Sequence, residues 1–294
     1  MADAEIEIIR KLLAANPRPA ELSERRRRLD ALGGQYPLPE DVRVENADAG
    51  GLPVEWTTSP EGDPTRVILF LHGGGYVSGS LASHRHMVAQ AGRESRARTL
   101  AVGYRLAPEH PFPAAVQDAI AGYRFLLACG FAPSRIAIGG DSAGGGLAIA
   151  AAVSLRDVGI PLPACIWCCS PWIDLEVTGS SMSAKAAIDP MIQKSYLLEI
   201  AGSYLNGADP RTPLASPLYC DLRSLPPMLI QVGSAETLLD DAVRLAGAAG
   251  AADVAVRLEV WPDMIHAWHL FFPQVTAGRR ALAEAGAFIR SMLN

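Results

Sequence analysis

The chain has 294 residues, of which 49% are hydrophobic and 19% charged, and its formal net charge at pH 7 is −5. This composition predicts a folded protein with a substantial core. The small negative charge gives no general attraction to nucleic acid or anionic membranes, so we expect a small-molecule partner and no nucleic-acid binding. Gly, Pro or a charged residue interrupts the apolar runs every few residues, so we also expect no stable membrane insertion.

The N-terminal segment mixes acidic with apolar residues and lacks the basic start and continuous apolar run of a signal peptide, so we expect a cytoplasmic protein. Its apolar residues Ile6, Ile9, Leu12 and Leu13 share one face of a helix, which prolines end. Residues Arg25–Arg28 follow on consecutive helical positions. Because consecutive positions spread around the axis, we interpret them as a solvated surface rather than an anion site.

Short runs rich in Val, Ile and Leu then alternate with helical stretches, which is typical of a parallel sheet covered by helices on both faces. The first two runs are joined by a short glycine-bearing link and are expected to be antiparallel, whereas the later ones look crossover-connected. The predicted fold class is α/β, with an eight-stranded, mostly parallel sheet. The predicted strands are Val42–Glu45, Pro53–Thr57, Val67–Leu71, Thr99–Tyr104, Arg135–Gly139, Cys165–Ser170, Met228–Val232 and Val256–Trp261.

Two segments, residues 1–40 and 175–215, fall outside this alternation. We expect them to form a helical cap over the carboxyl ends of the strands, where open α/β sheets bind ligands. Residues 41–174 and 216–294 would then form the two parts of the catalytic domain. The final strand, Val256–Trp261, would be a sheet edge through which two copies could pair as a homodimer.

No metal site is predicted. Cys165, Cys168 and Cys169 fall in one predicted strand, where neighbouring residues point to opposite faces, so they are interpreted as small buried hydrophobic residues. The odd number of cysteines, five, argues against a disulfide framework. The histidines at positions 84, 86 and 110 lack the spacing of metal ligands.

The strongest local pattern is an apolar run that meets Gly140-Asp141-Ser142-Ala143-Gly144 and continues as an Ala-rich helical pattern. A serine at such a strand-turn-helix junction exposes its hydroxyl above the sheet, and glycines flank it because a Cβ would collide with neighbouring backbone. Ser142 is therefore the candidate nucleophile. Two alternatives are a helix N-cap serine and a phosphate-binding loop, although the spacing of the common phosphate-binding motifs is missing.

A second glycine-rich strand end, His72 to Gly75, would expose backbone amides. Acyl transfer passes through an oxyanion, which amide N–H groups stabilise. We expect the amides of Gly74, Gly75 and Ala143 to form this oxyanion hole. His72 is interpreted as a residue that braces the loop.

A base and an acid follow the last two strands. His266 can reach across the strand ends and accept the serine proton, whereas His269 is interpreted as a packing or surface residue. Glu236, Asp240 and Asp241 follow the penultimate strand, which satisfies the chain order serine, acid, histidine. Glu236 is favoured because it is nearer the strand end, and Asp240 remains a rival.

The chain resembles the bacterial hormone-sensitive-lipase-type esterases, in the branch with a GDSAG nucleophile motif, through LHGGGYVSGS, YRLAPEHPFPAAVQDA, GGDSAGG, SPWIDL and the segment around His266. The resemblance implies a capped α/β-hydrolase fold, no metal or cofactor, and activity on short-chain carboxylic esters. It assigns Ser142 as nucleophile and His266 as base, and the glycine-loop and Ala143 amides as oxyanion donors. Much of the family has an aspartate where this chain has Glu236.

The leading hypothesis is therefore ester hydrolysis through an acyl-enzyme with a Ser-His-Glu triad. The alternatives are hydrolysis of amides, lactones or carbamates, or a non-catalytic ligand-binding protein on the same fold. In every catalytic version His266 must be neutral to act as a base, so activity should fall as the pH drops through its pKa.

Overall fold

A single sheet of eight strands forms the centre of residues 4–293, which the computed structural model describes. Its strands are β1 (Arg43–Asp48), β2 (Pro53–Thr58), β3 (Asp63–Leu71), β4 (Ala97–Val102), β5 (Ile136–Asp141), β6 (Cys165–Cys169), β7 (Met228–Gly233) and β8 (Val256–Trp261). Their spatial order is β1-β2-β4-β3-β5-β6-β7-β8. Pairs β1–β2 and β2–β4 are antiparallel and the other pairs are parallel, as predicted.

The predicted strands differ from the observed ones mainly at their ends. Strand β3 begins at Asp63 rather than at Val67, because Asp63 pairs with Ala97 across an irregularity in the register. Strand β4 ends at Val102, two residues earlier than predicted. The link from β2 to β3 is also too short for a helical crossover, so the crossovers begin only after β3.

Nine helices accompany the sheet in the described part of the chain. They are α1 (Ala4–Ala15), α2 (Leu22–Gly34), α3 (Leu81–Ser95), α4 (Ala114–Ala128), α5 (Ala143–Asp157), α6 (Ser181–Ala184), α7 (Lys194–Leu205), α8 (Leu239–Ala251) and α9 (Thr276–Met292). None of the helices in residues 4–293 has the length and apolar character needed to span a bilayer.

Apolar side chains cover both faces of the sheet, so strand β6 is buried throughout. Cys168 belongs to the apolar cluster on one face, and Cys165 and Cys169 belong to the cluster on the other. All three are free thiols, and burial raises the pKa of Cys165 and of Cys168 to about 12. The prediction that these residues act as small buried hydrophobic residues is confirmed.

Helices α1 and α2 are bound to the segment around α6 and α7. Arg10 of α1 donates from Nη1 to the carbonyl oxygen of Ile188 at 2.5 Å. Arg25 of α2 pairs with Glu199 of α7 at 2.7 Å. The two segments that fall outside the strand-helix alternation are therefore joined to each other.

The four consecutive arginines of α2 differ in their surroundings, and the prediction of a solvated surface is wrong for two of them. The Arg25 side chain is 12% exposed and pairs with Glu199. Arg26 reaches the body of the protein, where Nε donates to the carbonyl oxygen of Val77 at 2.8 Å. Arg27 is 74% exposed, as a solvated arginine should be. The arginines bind segments together because their long side chains reach backbone carbonyls that sequence patterns do not reveal.

Candidate active site

The ends of three strands bring together the serine, histidine and glutamate expected from the sequence. Ser142 follows β5, Glu236 follows β7 and His266 follows β8. His266 Nε2 lies 2.9 Å from Ser142 Oγ, and His266 Nδ1 lies 2.7 Å from Glu236 Oε2. All three residues are buried. The arrangement forms an unbroken chain of hydrogen bonds from a carboxylate to a serine hydroxyl.

Ser142 occupies a strained turn between β5 and α5. Its φ of 53° and ψ of −121° lie outside the regions that a serine ordinarily adopts. A Cβ on Gly140 would lie 2.3 Å from the carbonyl oxygen of Gly144, and one on Gly144 would lie 1.9 Å from that of Leu71. The flanking glycines are thus required for packing. Ser142 occupies the N-cap position of α5, but its side chain makes no capping hydrogen bond, so it does not act as a capping serine.

Glu236, and not Asp240, is the carboxylate that contacts the histidine. Besides His266, Glu236 accepts hydrogen bonds at Oε1 from Ser170 Oγ at 2.8 Å and from the Gly233 amide at 2.6 Å. Asp240 instead accepts from Ser180 Oγ at 2.5 Å. The sequence leaves these two acids as rivals, and the structure separates them because Asp240 lies in the first turn of α8, beyond the loop that holds Glu236.

The surroundings of His266 alter its pKa in two opposing ways. Burial, the largest effect, lowers the pKa, whereas the hydrogen bond and negative charge of Glu236 raise it, with smaller contributions from Asp189 and Asp141. The net result is a pKa above the ordinary value of 6.5. The imidazole is therefore a stronger base than a buried histidine without an acid partner.

The glycine loop after β3 adopts a backbone that only glycine accommodates easily. Gly74 has a φ of 119° and Gly75 a φ of 66°. The Val77 and Ser78 amides turn back to the Gly74 carbonyl oxygen. Among the hydrogen bonds formed within residues 4–293, none uses the amide of Gly74, Gly75 or Ala143. These three N–H groups therefore have no hydrogen-bond acceptor within the described residues.

His72 supports the start of this loop. Its ring stacks on Tyr104 with a centroid separation of 4.2 Å, and its Nδ1 lies 2.8 Å from the Gly73 carbonyl oxygen. Burial, the largest effect, together with the nearby His84 lowers the pKa of His72 to about 3. A neutral, buried imidazole fits the interpretation of His72 as a residue that braces the loop.

Asp141 is a residue of the site that the sequence analysis did not single out. Its Oδ1 accepts from the Gly73 amide at 2.8 Å, and its Oδ2 lies 3.3 Å from His84 Nε2. It thereby joins the serine turn to the glycine loop. The signal available in the sequence was an acid immediately before Ser142, on a strand otherwise made of apolar residues and glycine.

Ser170 is a second residue that was missed. It follows the last residue of β6 directly, and its hydroxyl donates to Glu236 Oε1 at 2.8 Å. Ser170 Oγ also accepts a hydrogen bond from the amide of Ala267, next to His266, at 3.1 Å. Ser170 thus holds the acid and the histidine loop together, which only the tertiary fold reveals.

Two further histidines, His269 and His86, are buried outside the proposed triad. His269 is buried, with Nε2 3.0 Å from Gln231 Oε1, so its interpretation as a packing residue is confirmed. His86 Nε2 lies 2.8 Å from the Leu270 carbonyl oxygen. Within residues 4–293 there is no group of three or more His, Cys, Asp or Glu side chains that could hold a metal ion.

A cavity of about 430 Å³ opens beside Ser142 and His266. Its walls come from the glycine loop, from α1, α2 and α7, and from the loops between them. The apolar side chains of this lining include Leu13, Leu29, Met191, Ile192, Leu197 and Ile200. The volume suits a small organic molecule.

Comparison with known proteins gives this arrangement a family. Residues 68–270 match a family described as having the alpha/beta hydrolase fold. An acetyl-hydrolase of Streptomyces hygroscopicus is 46% identical over 99% of this chain and 98% of its own length. An esterase of Acinetobacter venetianus is 32% identical over 90% of this chain and 87% of its own.

Solved structures agree with these relatives. The crystal structure of an esterase from the bacterial hormone-sensitive lipase family matches with a TM-score of 0.97 and 47% identity, over the whole of both chains. The structure of EstE5 soaked with p-nitrophenyl butyrate matches with a TM-score of 0.96 and 43% identity, over 99% of each chain. The chain therefore belongs to the bacterial hormone-sensitive-lipase family of α/β-hydrolase fold esterases.

Proposed function

We propose that this protein hydrolyses short-chain carboxylic esters through an acyl-enzyme, with Ser142 as nucleophile, His266 as base and Glu236 as the triad acid. The observation that carries the proposal is the unbroken hydrogen-bond chain from Glu236 through His266 to Ser142, at a cavity large enough for a small ester. Such a chain activates a hydroxyl that is otherwise a weak nucleophile.

The reaction has two halves. In the first, Ser142 Oγ attacks the ester carbonyl carbon while His266 Nε2 takes the hydroxyl proton. The C–O bond to the alcohol then breaks, and His266 returns the proton to the leaving oxygen. In the second half, His266 takes a proton from water, the hydroxide attacks the acyl carbon, and Ser142 leaves with the proton restored. Glu236 keeps its charge and stabilises the imidazolium in both halves.

The amides of Gly74, Gly75 and Ala143, which donate to no acceptor within the described residues, are proposed to stabilise the tetrahedral oxyanion in each half. Loss of one such donor typically reduces kcat by about 10²-fold to 10³-fold. Asp141 supports this arrangement because it holds the Gly73 amide from the turn that carries the nucleophile. The donors would therefore be fixed in place before the substrate arrives.

The segments 1–40 and 175–215 are proposed to form the cap, over a catalytic domain made of residues 41–174 and 216–294. The ion pair between Arg25 and Glu199, and the bond from Arg10 to Ile188, support a cap that acts as one unit. Both segments also contribute to the cavity, through Leu13 and Leu197 among others. Cap side chains would thus determine which substrates fit.

Two observations favour a short acyl group. A Cβ on Gly75 would lie 2.3 Å from Ile200 Cδ1, so Ile200 packs directly against the proposed oxyanion loop and narrows the cavity there. The relative from Streptomyces hygroscopicus, 46% identical, is an acetyl-hydrolase. We therefore place acetyl and butyryl esters ahead of long-chain ones.

Hydrolysis of 4-nitrophenyl acetate, butyrate and decanoate by the wild type, Ser142→Ala, Glu236→Gln and Asp240→Asn tests the proposal. The wild type should prefer the two shorter esters, Ser142→Ala should be inactive, and Glu236→Gln should lose far more activity than Asp240→Asn. A wild type without activity on any ester would overturn the proposed function. Equal losses in the two acid variants would overturn the assignment of Glu236.

A further inference from the structure

The cavity beside Ser142 has a group of arginines on the side formed by the N-terminal segment. Arg18, Arg25 and Arg28 all line it. Three arginines thus line the same cavity as the proposed nucleophile. A neutral short-chain ester has no chemical need for such a cluster, because it carries no charge to pair with.

Only one of these arginines has a carboxylate partner. Arg25 Nη1 lies 2.7 Å from Glu199 Oε1. Arg18 donates from Nη2 to the carbonyl oxygen of Met191, and its guanidinium carbon lies 3.3 Å from the centre of the Tyr196 ring. The aromatic ring orients the guanidinium but does not neutralise its charge.

Arg28 is also bound to main-chain oxygens only. Its Nη1 donates to Pro17 at 2.7 Å and its Nη2 to Asn16 at 2.5 Å. In the described part of the chain, no Asp or Glu oxygen lies within 4 Å of the nitrogens of Arg18 or Arg28. A guanidinium has five N–H groups, so both arginines keep donors for a ligand.

The rest of the lining does little to offset this positive charge. Of the described residues that line the cavity, Asp141 is the one with an acidic side chain, and it is occupied by the Gly73 amide and His84. Arg18 is exposed and Arg28 is partly buried, so a ligand can reach both. Asp189 and Glu199 attract the Arg18 charge from farther away, and both act to raise its pKa against the effect of burial. The cavity therefore combines an apolar wall with two accessible cations that have no carboxylate oxygen within 4 Å.

We propose that the preferred substrates are esters that carry a carboxylate away from the scissile bond, and that Arg18 and Arg28 bind this carboxylate. The inference rests on the proposed function, because it assumes that Ser142 attacks the ester. The planar fork of a guanidinium matches the two oxygens of a carboxylate. Because both arginines are partly solvated, the carboxylate should raise kcat/KM only modestly, by about tenfold.

Two matched pairs of esters test which substrates are preferred. Mono-4-nitrophenyl adipate and its methyl ester place the charge, or its neutral equivalent, on the acyl side. The compounds 4-acetoxyphenylacetate and its methyl ester place it on the alcohol side. In at least one pair, the wild type should show a kcat/KM about tenfold higher for the anion. A ratio of one or less in both pairs would overturn the inference.

The double variant Arg18→Gln/Arg28→Gln should reduce that ratio to about one. Arg27→Gln is the matched control, because Arg27 is 74% exposed and does not line the cavity in the described structure, so its ratio should stay that of the wild type. A ratio of about one in Arg27→Gln, or a wild-type ratio in the double variant, would show that Arg18 and Arg28 are not the carboxylate site.

A binding measurement separates failure of this inference from failure of the proposed function. Adipate titrated calorimetrically into Ser142→Ala protein should bind, and the added Arg18→Gln/Arg28→Gln changes should weaken binding about tenfold. Hydrolysis of the neutral esters without anion preference or adipate binding would overturn the inference alone. If no ester were hydrolysed, the proposed function would fail, and the titration would still decide whether the site exists.

Discussion

Arg26 Nε donates to the carbonyl oxygen of Val77 at 2.8 Å and so connects α2 to the loop that contains Gly74 and Gly75. The same guanidinium donates to the Ala107 carbonyl oxygen at 3.0 Å, and the Ala107 amide in turn donates to Tyr76. An arginine of the N-terminal segment thus supports the loop that is proposed to hold the oxyanion.

Replacement of Arg26 by Met should therefore lower kcat by about tenfold or more while KM changes little, because small displacements of catalytic groups reduce rates strongly. Met keeps most of the apolar stem and removes the donors. Steady-state kinetics on 4-nitrophenyl acetate measure both constants. Arg27→Met serves as the control. An unchanged kcat in Arg26→Met, or an equal loss in Arg27→Met, would exclude this positioning role.

Gly75→Ala should lower kcat by about 10²-fold, because the new Cβ would meet Ile200 Cδ1 at 2.3 Å on a backbone with φ of 66°. The loop must move, and its amide with it. The matched control is Gly202→Ala in α7, where a Cβ meets no atom of the described structure within 4 Å. Kinetics and a thermal melt distinguish a lost rate from lost folding. A folded Gly75→Ala with the wild-type kcat would argue against the oxyanion assignment.

The pH dependence of kcat/KM should show an acid limb at the pKa of His266, above the ordinary 6.5. Glu236→Gln removes the charge that raises this pKa, so the limb should move to lower pH while the plateau falls by about 10⁴-fold. Asp240→Asn, whose carboxylate binds Ser180 and Ser181, should leave the limb in place. A rate independent of pH between about 5 and 8 would contradict the role of His266.

Asp241 should make the protein less stable as the pH rises. It is fully buried, and burial, the largest effect, together with the charge of Asp174 raises its pKa to about 7, against opposing hydrogen bonds from the Ile173 and Asp174 amides. Because the folded pKa exceeds that of the unfolded chain, its stability contribution is complete below pH about 4 and declines until pH about 7.

Asp241→Asn removes this titration, so its free energy of unfolding relative to the wild type should rise between pH 4.5 and 8, by at most about 4 kcal/mol. Urea denaturation at the two pH values measures the difference. The neighbouring Asp240 has a lowered pKa because Ser180 donates to it, so its carboxylate is charged at both pH values. Asp240→Asn should therefore be destabilised by a similar amount at pH 4.5 and at pH 8. An Asp241→Asn effect that is the same at both pH values would refute the explanation.

The sheet, and the serine, glutamate and histidine of the proposed triad, could be predicted because local sequence carries their signals. The central strands β5, β6 and β7 are short apolar runs, and Ser142, Glu236 and His266 each follow the carboxyl end of a strand. The predicted strand ends were less accurate, because a pair such as Asp63 with Ala97 depends on where the neighbouring strand lies.

Other features depend on contacts between distant parts of the chain. Arg25 and Arg26 look like solvated residues until the tertiary fold places Glu199 and the Val77 carbonyl within reach. Ser170 likewise gains its role only when β6 and β7 lie side by side. Sequence patterns indicate periodicity and local chemistry. They do not indicate these hydrogen bonds, because each bond joins residues that are far apart in the chain.

Covalent trapping of the nucleophile tests the central claim most directly. A fluorophosphonate that mimics the tetrahedral intermediate should add once to the wild type, as intact mass spectrometry can show, with the adduct on the peptide that contains Ser142. Ser142→Ala protein should remain unmodified, and the modified wild type should lose its esterase activity in proportion. An adduct on another residue, or unmodified protein that still hydrolyses esters in the presence of the reagent, would contradict the proposed mechanism.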